Sequence, residues 1–301
     1  QYRFTFVRGR RLTPVRPFWI RANGCNDEQP SYTVHGGGAR GSTQRKTWRW
    51  RVPFDGRIVA AGGHLHAGAR NMTLTQPSCD ERTLVDTAPL YGRADHPAYR
   101  MRPLLHEPGP VNTRYFLSRR GIAIRRGEVL ALNGLYDAEH ARSRVMAIMH
   151  VYVARGRVSR ARRCAPLPPD RRALRLRYRG RTTPPFTRVP LNAISPRGQV
   201  YVVQRPPGPL RFATGSLTTA VRGSRFVDAN LSIPRGARIT WLFADPIFHN
   251  VLLANGPHAY NTRTLKDGRR YGVRFDVPGT YQFFCYLHPM TMHQQVTVRA
   301  S

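Results

Sequence analysis

The chain has 301 residues, 41% hydrophobic and 10% aromatic, with 49 Lys+Arg against 16 Asp+Glu and a formal charge of +33 at pH 7. Its length suffices for two domains that each bury a core, its apolar content excludes a disordered polyelectrolyte, and no apolar run reaches the roughly 18–20 residues that span a bilayer. Lys46 and Lys266 are the only lysines, and the arginines are dispersed, densest over 155–163 and 171–181; a phosphate-reading surface mixes and clusters both cations, so the charge argues against nucleic acid and for acidic proteins or polyanionic envelope polymers.

In chain order, the first half reads as strands separated by turns: Thr47–Val52, Arg57–Ala61, Asn71–Thr75, Gly127–Leu132 and Arg144–Ala154, with Gly- and Pro-rich breaks at Gly36–Gly38, Gly62–Gly63 and Glu107–Pro110. Helical periodicity is weak, so a β-sandwich is expected over residues 1–160. Within it stands Gly62-Gly-His64-Leu-His66-Ala-Gly68. Residues i and i+2 of a strand face one side, so His64 and His66 present two imidazoles to one point while Leu65 turns inward, which makes half a metal site. Met146, Met149 and His150 on the late strand, with Asp137 and His140 on the turn before it, are the candidates to complete the site. His106, His96, His258 and His293 read as ordinary turn or surface residues.

The His64-Leu-His66-x-Gly68 pair, followed some eighty residues later by Tyr136-Asp and Arg144-Val-Met146-Ala-Ile-Met, resembles the catalytic domain of copper type II ascorbate-dependent monooxygenases, the peptidylglycine hydroxylase family. The resemblance implies a copper at His64, His66 and Met146 where O₂ reacts. That family relays electrons from a second copper in a preceding domain with three histidines, whereas His35 is the only histidine upstream of His64 here. Either the chemistry is lost, or electrons come from the other end of the chain.

Residues 161–200 are rich in Arg and Pro and lack a period, so they read as a semi-rigid linker or wrapping segment. Beyond them, over 201–301, strands are expected at Arg238–Phe243, His249–Leu253, Tyr271–Phe275, Val277–Cys285 and Gln295–Val298. On this frame sit His249, Cys285, His288 and Met292. Two imidazoles and a thiolate in a plane with a distant thioether are the ligands of a type 1, or blue, copper site, and the Cys-x-x-His spacing lets one short loop carry three of them. Met290 competes with Met292 for the axial position; Met292 leaves Val296 and Val298 in register for the closing strand.

The segments Asp245-Pro-Ile-Phe-His249-Asn-Val and Gly279-Thr-Tyr-Gln-Phe-Phe-Cys285-Tyr-Leu-His288-Pro-Met-Thr-Met292 resemble the cupredoxins (plastocyanin, amicyanin, azurin). The resemblance implies a Greek-key sandwich and one-electron transfer. The expectation is an all-β chain of two β-sandwich domains, with electron transfer at one copper, a second copper able to do oxidative chemistry, and an acidic redox partner. The alternative is non-catalytic copper storage or envelope binding. With Cys285 on copper, Cys25, Cys79 and Cys164 remain for one disulfide: a Cys25–Cys164 bridge would close the first domain, and Cys79 competes. The start at Gln1 suits a processed chain, with secretion, periplasm or cell surface as its expected place.

Overall fold

The computed structural model describes residues 9, 12–25, 31–158, 164–174 and 179–300. Parts of the two arginine-dense stretches, including Arg160, Arg162, Arg163, Arg175 and Arg177, lie outside the described residues.

Two β-sandwiches follow one another. In the first, a five-stranded sheet runs in the order Arg16–Arg21, Ala147–Arg155, Gly56–Leu65, Tyr115–Ile124, Arg172–Leu174. It faces a four-stranded sheet of Thr43–Arg51, Val129–Asp137, Ala69–Gln76 and Arg82–Asp86. The second pairs a five-stranded sheet (Leu210–Phe212, Asn230–Pro234, His293–Arg299, Gly279–Phe284, Leu252–Asn255) with a four-stranded one (Arg225–Phe226, Leu217–Arg222, Arg238–Phe243, Arg270–Arg274). The all-β, two-sandwich reading holds.

Alternation dictates these strands. In Arg238–Phe243 the side chains of Ile239, Trp241 and Phe243 are buried and the intervening ones are not; the period-2 pleat sends every second residue to the core. Burying aromatic groups of that size contributes about 2–3 kcal/mol each. The same pleat accounts for the charge. On Thr43–Arg51, Trp48 and Trp50 pack against the core while Arg45, Arg49 and Arg51, on the opposite parity, are exposed. Cations repeated at alternate rungs coat a sheet face instead of forming one patch. The single run Arg144–Ala154 divides at Met146 into strands Arg142–Val145 and Ala147–Arg155, the first pairing with Tyr32–Val34 and not with the main sheet.

The disulfide joins Cys79 to Cys164, and Cys25 is free and exposed. The Cys25–Cys164 alternative is thereby corrected. Cys79 follows the Ala69–Gln76 strand on the outer sheet, and the chain returns to it after leaving the last long strand. Closing an 85-residue separation restricts the unfolded chain by about 4.6 kcal/mol in the loop-entropy model.

From residue 164 to 203 the described chain lies against both sandwiches. Arg172–Leu174 extends the first sheet, and Leu191–Ile194 forms a hairpin with Val200–Val203. Between these, Thr187 N donates to Glu107 Oε1 at 2.9 Å, Val189 N donates to Asn255 Oδ1 at 3.1 Å and Asn192 Nδ2 donates to the Leu104 carbonyl at 3.1 Å. Direct contacts add to this seam: Ser143 Oγ donates to the Leu253 carbonyl at 2.8 Å, and Ala259 N donates to the His35 carbonyl at 2.9 Å.

Behind the seam is a buried ion cluster. Arg142 Nε bonds Glu107 Oε2 at 2.6 Å and its Nη1 bonds Asp137 Oδ2 at 3.0 Å, with 5%, 9% and 5% of the three side chains exposed. Burial pushes Glu107 above the usual carboxylate range. Burial also opposes the charge on Asp137, yet hydrogen bonds from Arg142, His140 and Arg70 prevail and hold its carboxyl below that range. Removing the cation strands Glu107 and takes one of three partners from Asp137, which keeps Arg70 and His140. Arg142→Met is expected to destabilise the protein by about 3–5 kcal/mol at neutral pH. Glu107, already raised by burial, is pushed up further without its cation, so the loss shrinks as pH falls and its carboxyl takes up a proton; urea midpoints at pH 7 and pH 5 test both parts.

Candidate metal centres

In the second sandwich the sites of His249 and Cys285 are set by neighbouring strand ends. Cys285 follows the Gly279–Phe284 strand, which pairs with Leu252–Asn255, and His249 lies just before the latter in a bridge to Leu265. The Cys285–Met292 loop is folded by its own amides: His288 N bonds the Cys285 carbonyl, Met292 N the His288 carbonyl and Cys285 N the Met292 carbonyl. The His249 Nδ1 and His288 Nδ1 atoms are 3.2 Å apart, and Cys285 Sγ is 3.7 Å from the latter. One nitrogen from each histidine and the sulfur lie within 4.8 Å of one another. His249, Cys285 and Met292 are fully buried and His288 is partly exposed; Met292 shares the core cluster of Cys285 while Met290 is half-buried.

Two residues that the sequence reading did not single out orient these donors. Asp245 Oδ1 accepts from His249 Nε2 at 2.8 Å, which leaves the Nδ1 lone pair facing the other donors. Asn250 N donates to Cys285 Sγ at 3.4 Å and its Oδ1 accepts from Tyr286 N at 3.1 Å, clamping the loop to the strand beside it. The i to i+4 spacing of Asp245 and His249 was the available signal. Burial raises the Cys285 thiol, and burial followed by the neighbouring His249 lowers His288. Three convergent soft or borderline donors in a dry site fit copper. Asp245→Asn is expected to weaken copper binding 10- to 100-fold, the usual effect of losing a histidine's orienting partner; competition with a chelator measures it, and unchanged affinity would remove Asp245 from the site.

In the first sandwich, His64 lies in the last turnings of the Gly56–Leu65 strand and His66 just beyond it, with Leu65 in the core. The glycines have steric reasons. A Cβ on Gly63 would come within 2.6 Å of Met72 Cε, and Gly68, at φ +79°, turns the chain where a Cβ would meet Arg142 Cζ at 2.6 Å. The Nε2 atoms of His64 and His66 stand 3.1 Å apart, a separation at which two imidazoles share a proton or a cation. His66 Nδ1 donates to the Arg144 carbonyl at 2.9 Å, so its Nε2 carries the lone pair. The backbone N of His66 bonds both the Met146 carbonyl and Tyr136 Oη, and Tyr136 Oη donates in turn to the Met146 carbonyl. Burial first, then His64 and His106, lower His66 to about 4; the pair is neutral at pH 7 and has no proton to shed before binding a metal.

Met146 and His66 line one cavity. His106, read from the sequence as a turn residue, stacks on His66 with ring centroids 6.3 Å apart. The other candidates go elsewhere. Met149 is core, His150 pairs across from Gly62 and packs on Trp19, and Asp137 and His140 serve the Arg142 cluster.

Residues 214–299 match the family model for copper binding proteins of the plastocyanin/azurin family. They form a cupredoxin domain. Amicyanin-alpha of Methylorubrum extorquens is 28% identical to the chain over 95 residues, 31% of this chain and 75% of the relative. Among solved structures, a reduced proline variant of amicyanin is 25% identical, covering 28% of this chain and 83% of its own at a TM-score of 0.26. A reduced Cu(I) amicyanin variant at pH 4 is 26% identical, covering 29% and 85% at the same score. Ahead of the cupredoxin domain, residues 23–156 match the family described as stress up-regulated Nod 19, a description that names neither a metal nor a reaction. Among the described residues no helix is long and apolar enough to cross a membrane.

Proposed function

We propose that the cupredoxin domain transfers single electrons through a type 1 copper held by His249, Cys285, His288 and Met292. The convergence of His249, His288 and Cys285 donors within 4.8 Å carries this reading. Copper there would supply a one-electron Cu(I)/Cu(II) couple; the protein's part is to keep the donor positions unchanged between the two states. Asp245 and Asn250 do this from outside the ligand set, and the core around Cys285 excludes water. Met292 rather than Met290 would be the fourth ligand, because it is buried with Cys285 whereas Met290 is half-buried. His288, the least buried ligand, follows exposed Leu287, and exposed Ile247 and Phe248 precede His249; this end of the domain offers the partner its way in. The partner is acidic, drawn by the +33 charge, and its docking weakens with salt. A secreted, periplasmic or surface location agrees with the Cys79–Cys164 disulfide, which needs an oxidising compartment.

His64, His66 and Met146 would hold a second copper, which would supply oxidative, monooxygenase-like chemistry. The facing Nε2 atoms favour it. A contact chain connects the two ligand sets: Tyr286 follows Cys285, Arg144 lies over the Tyr286 ring at 4.1 Å, and the Arg144 carbonyl holds His66 Nδ1. With copper at both sites, this chain would be the protein link between them. Copper content and electron-spin resonance test the whole reading. Two coppers per chain are expected, with one narrow and one wide parallel hyperfine pattern. A colourless copper-loaded protein would replace electron transfer by storage.

A further inference from the structure

Between the two sandwiches lies a cavity of about 290 Å³. One wall comes from the first domain (His66, His106, Met146), the opposite wall from the cupredoxin domain (Leu252, Ala254, Tyr286), and Phe186 and Val189 of the wrapping segment cover a side. Its size is at the lower end for ligand sites, which begin near 300 Å³, while about 150 Å³ already admits a benzene ring. A single substituted ring fits; a peptide or a sugar chain does not.

The charges around the cavity are uneven. Glu107 is satisfied by Arg142 and by the Thr187 amide. Arg144 is different. Its Nε is shut off from solvent without a hydrogen-bond acceptor among the described residues, and its guanidinium is spread over the Tyr286 ring. Its backbone is at φ 57°, a left-handed conformation that costs an arginine of order 1 kcal/mol and persists where the surroundings impose it. The Arg144 side chain lines the cavity wall beside Tyr286, and a guanidinium in a mainly apolar wall is a specific reward to an anionic oxygen placed against it.

From this we infer that the interdomain cavity binds a single-ring aromatic carboxylate, its ring between Leu252, Phe186 and Tyr286 and its oxygens at Arg144. The site is new to both domains taken singly, because each supplies one wall. It rests on the cavity and not on a metal at His64 and His66: copper counting tests that reading, and ligand titration tests this one.

Titration calorimetry of the copper-loaded full chain with benzoate is expected to show one site per chain with a Kd below about 1 mM, a modest affinity for so few atoms. Benzyl alcohol, of similar shape but uncharged, binds at least tenfold more weakly, and Arg144→Gln removes most of that difference. Ala254→Phe on the cupredoxin wall and Val189→Trp on the covering segment each fill the space and weaken benzoate at least tenfold while far-UV dichroism and the melting midpoint certify the fold. No saturable binding by wild type at several millimolar overturns the inference, as does benzoate binding unchanged in both filled variants. Equal binding of benzoate and benzyl alcohol overturns the assignment of the carboxylate to Arg144.

Discussion

The intense visible absorption of the copper-loaded protein is expected to vanish completely in Cys285→Ser, with conversion of the narrow hyperfine pattern to a wide one or loss of the copper altogether. The band arises from charge transfer between a thiolate and copper, and a serine hydroxyl near neutral pH does not ionise to take the sulfur's place. The substitution is otherwise mild. Asn250 N, which points at Cys285 Sγ, finds an oxygen acceptor there, so the buried serine oxygen keeps a hydrogen-bond donor and the fold is retained. Its stability cost in the metal-free protein is about 1–2 kcal/mol, in the range of core substitutions that change one polar group. Absorption and resonance spectra of wild type and variant at equal copper loading decide the matter. A band that survives in the variant would mean that the thiolate of Cys285 does not produce it, and the type 1 assignment falls with it.

The second large effect concerns copper content. In His64→Ala/His66→Ala the metal is expected to drop from two per chain to one, with the wide hyperfine pattern lost and the visible band untouched. The reason is geometric. The two imidazoles leave the strand end with their Nε2 atoms together, and Met146 alone holds no divalent copper. His64 is exposed and His66 only partly buried, so truncation takes little from the core. Metal analysis after dialysis checks the stoichiometry. Wild-type protein that saturates at a single copper would leave His64 and His66 without a metal. Oxygen consumption with ascorbate, if it persists in the double variant, would remove monooxygenase-like chemistry from this pair.

Much of the second domain is legible from residues alone because its decisive contacts are local. Cys285, His288 and Met292 share one eight-residue loop, the alternation through Arg238–Phe243 reports the core side directly, and the match of residues 214–299 to the plastocyanin/azurin family agrees. The first domain is legible in its strands and in the His64–His66 pair, where a two-residue spacing has one meaning on an extended chain. Its family match, over 23–156, carries no chemistry of its own.

Sequence alone therefore determined the all-β class, the extended runs with clear alternation or β-branching, and which donors are soft enough for copper; strands such as Tyr115–Ile124 and Leu217–Arg222 emerged only in the structure. Tertiary structure decided every pairing across long separations: Cys164 with Cys79 and not with Cys25, His106 against His66, Arg144 over Tyr286, and the cavity between the two sandwiches. The physical reason is that periodicity records whether a side chain leaves water and says nothing about which distant side chain it meets there. That choice belongs to the packing of whole sheets, where one register fixes dozens of neighbours at once.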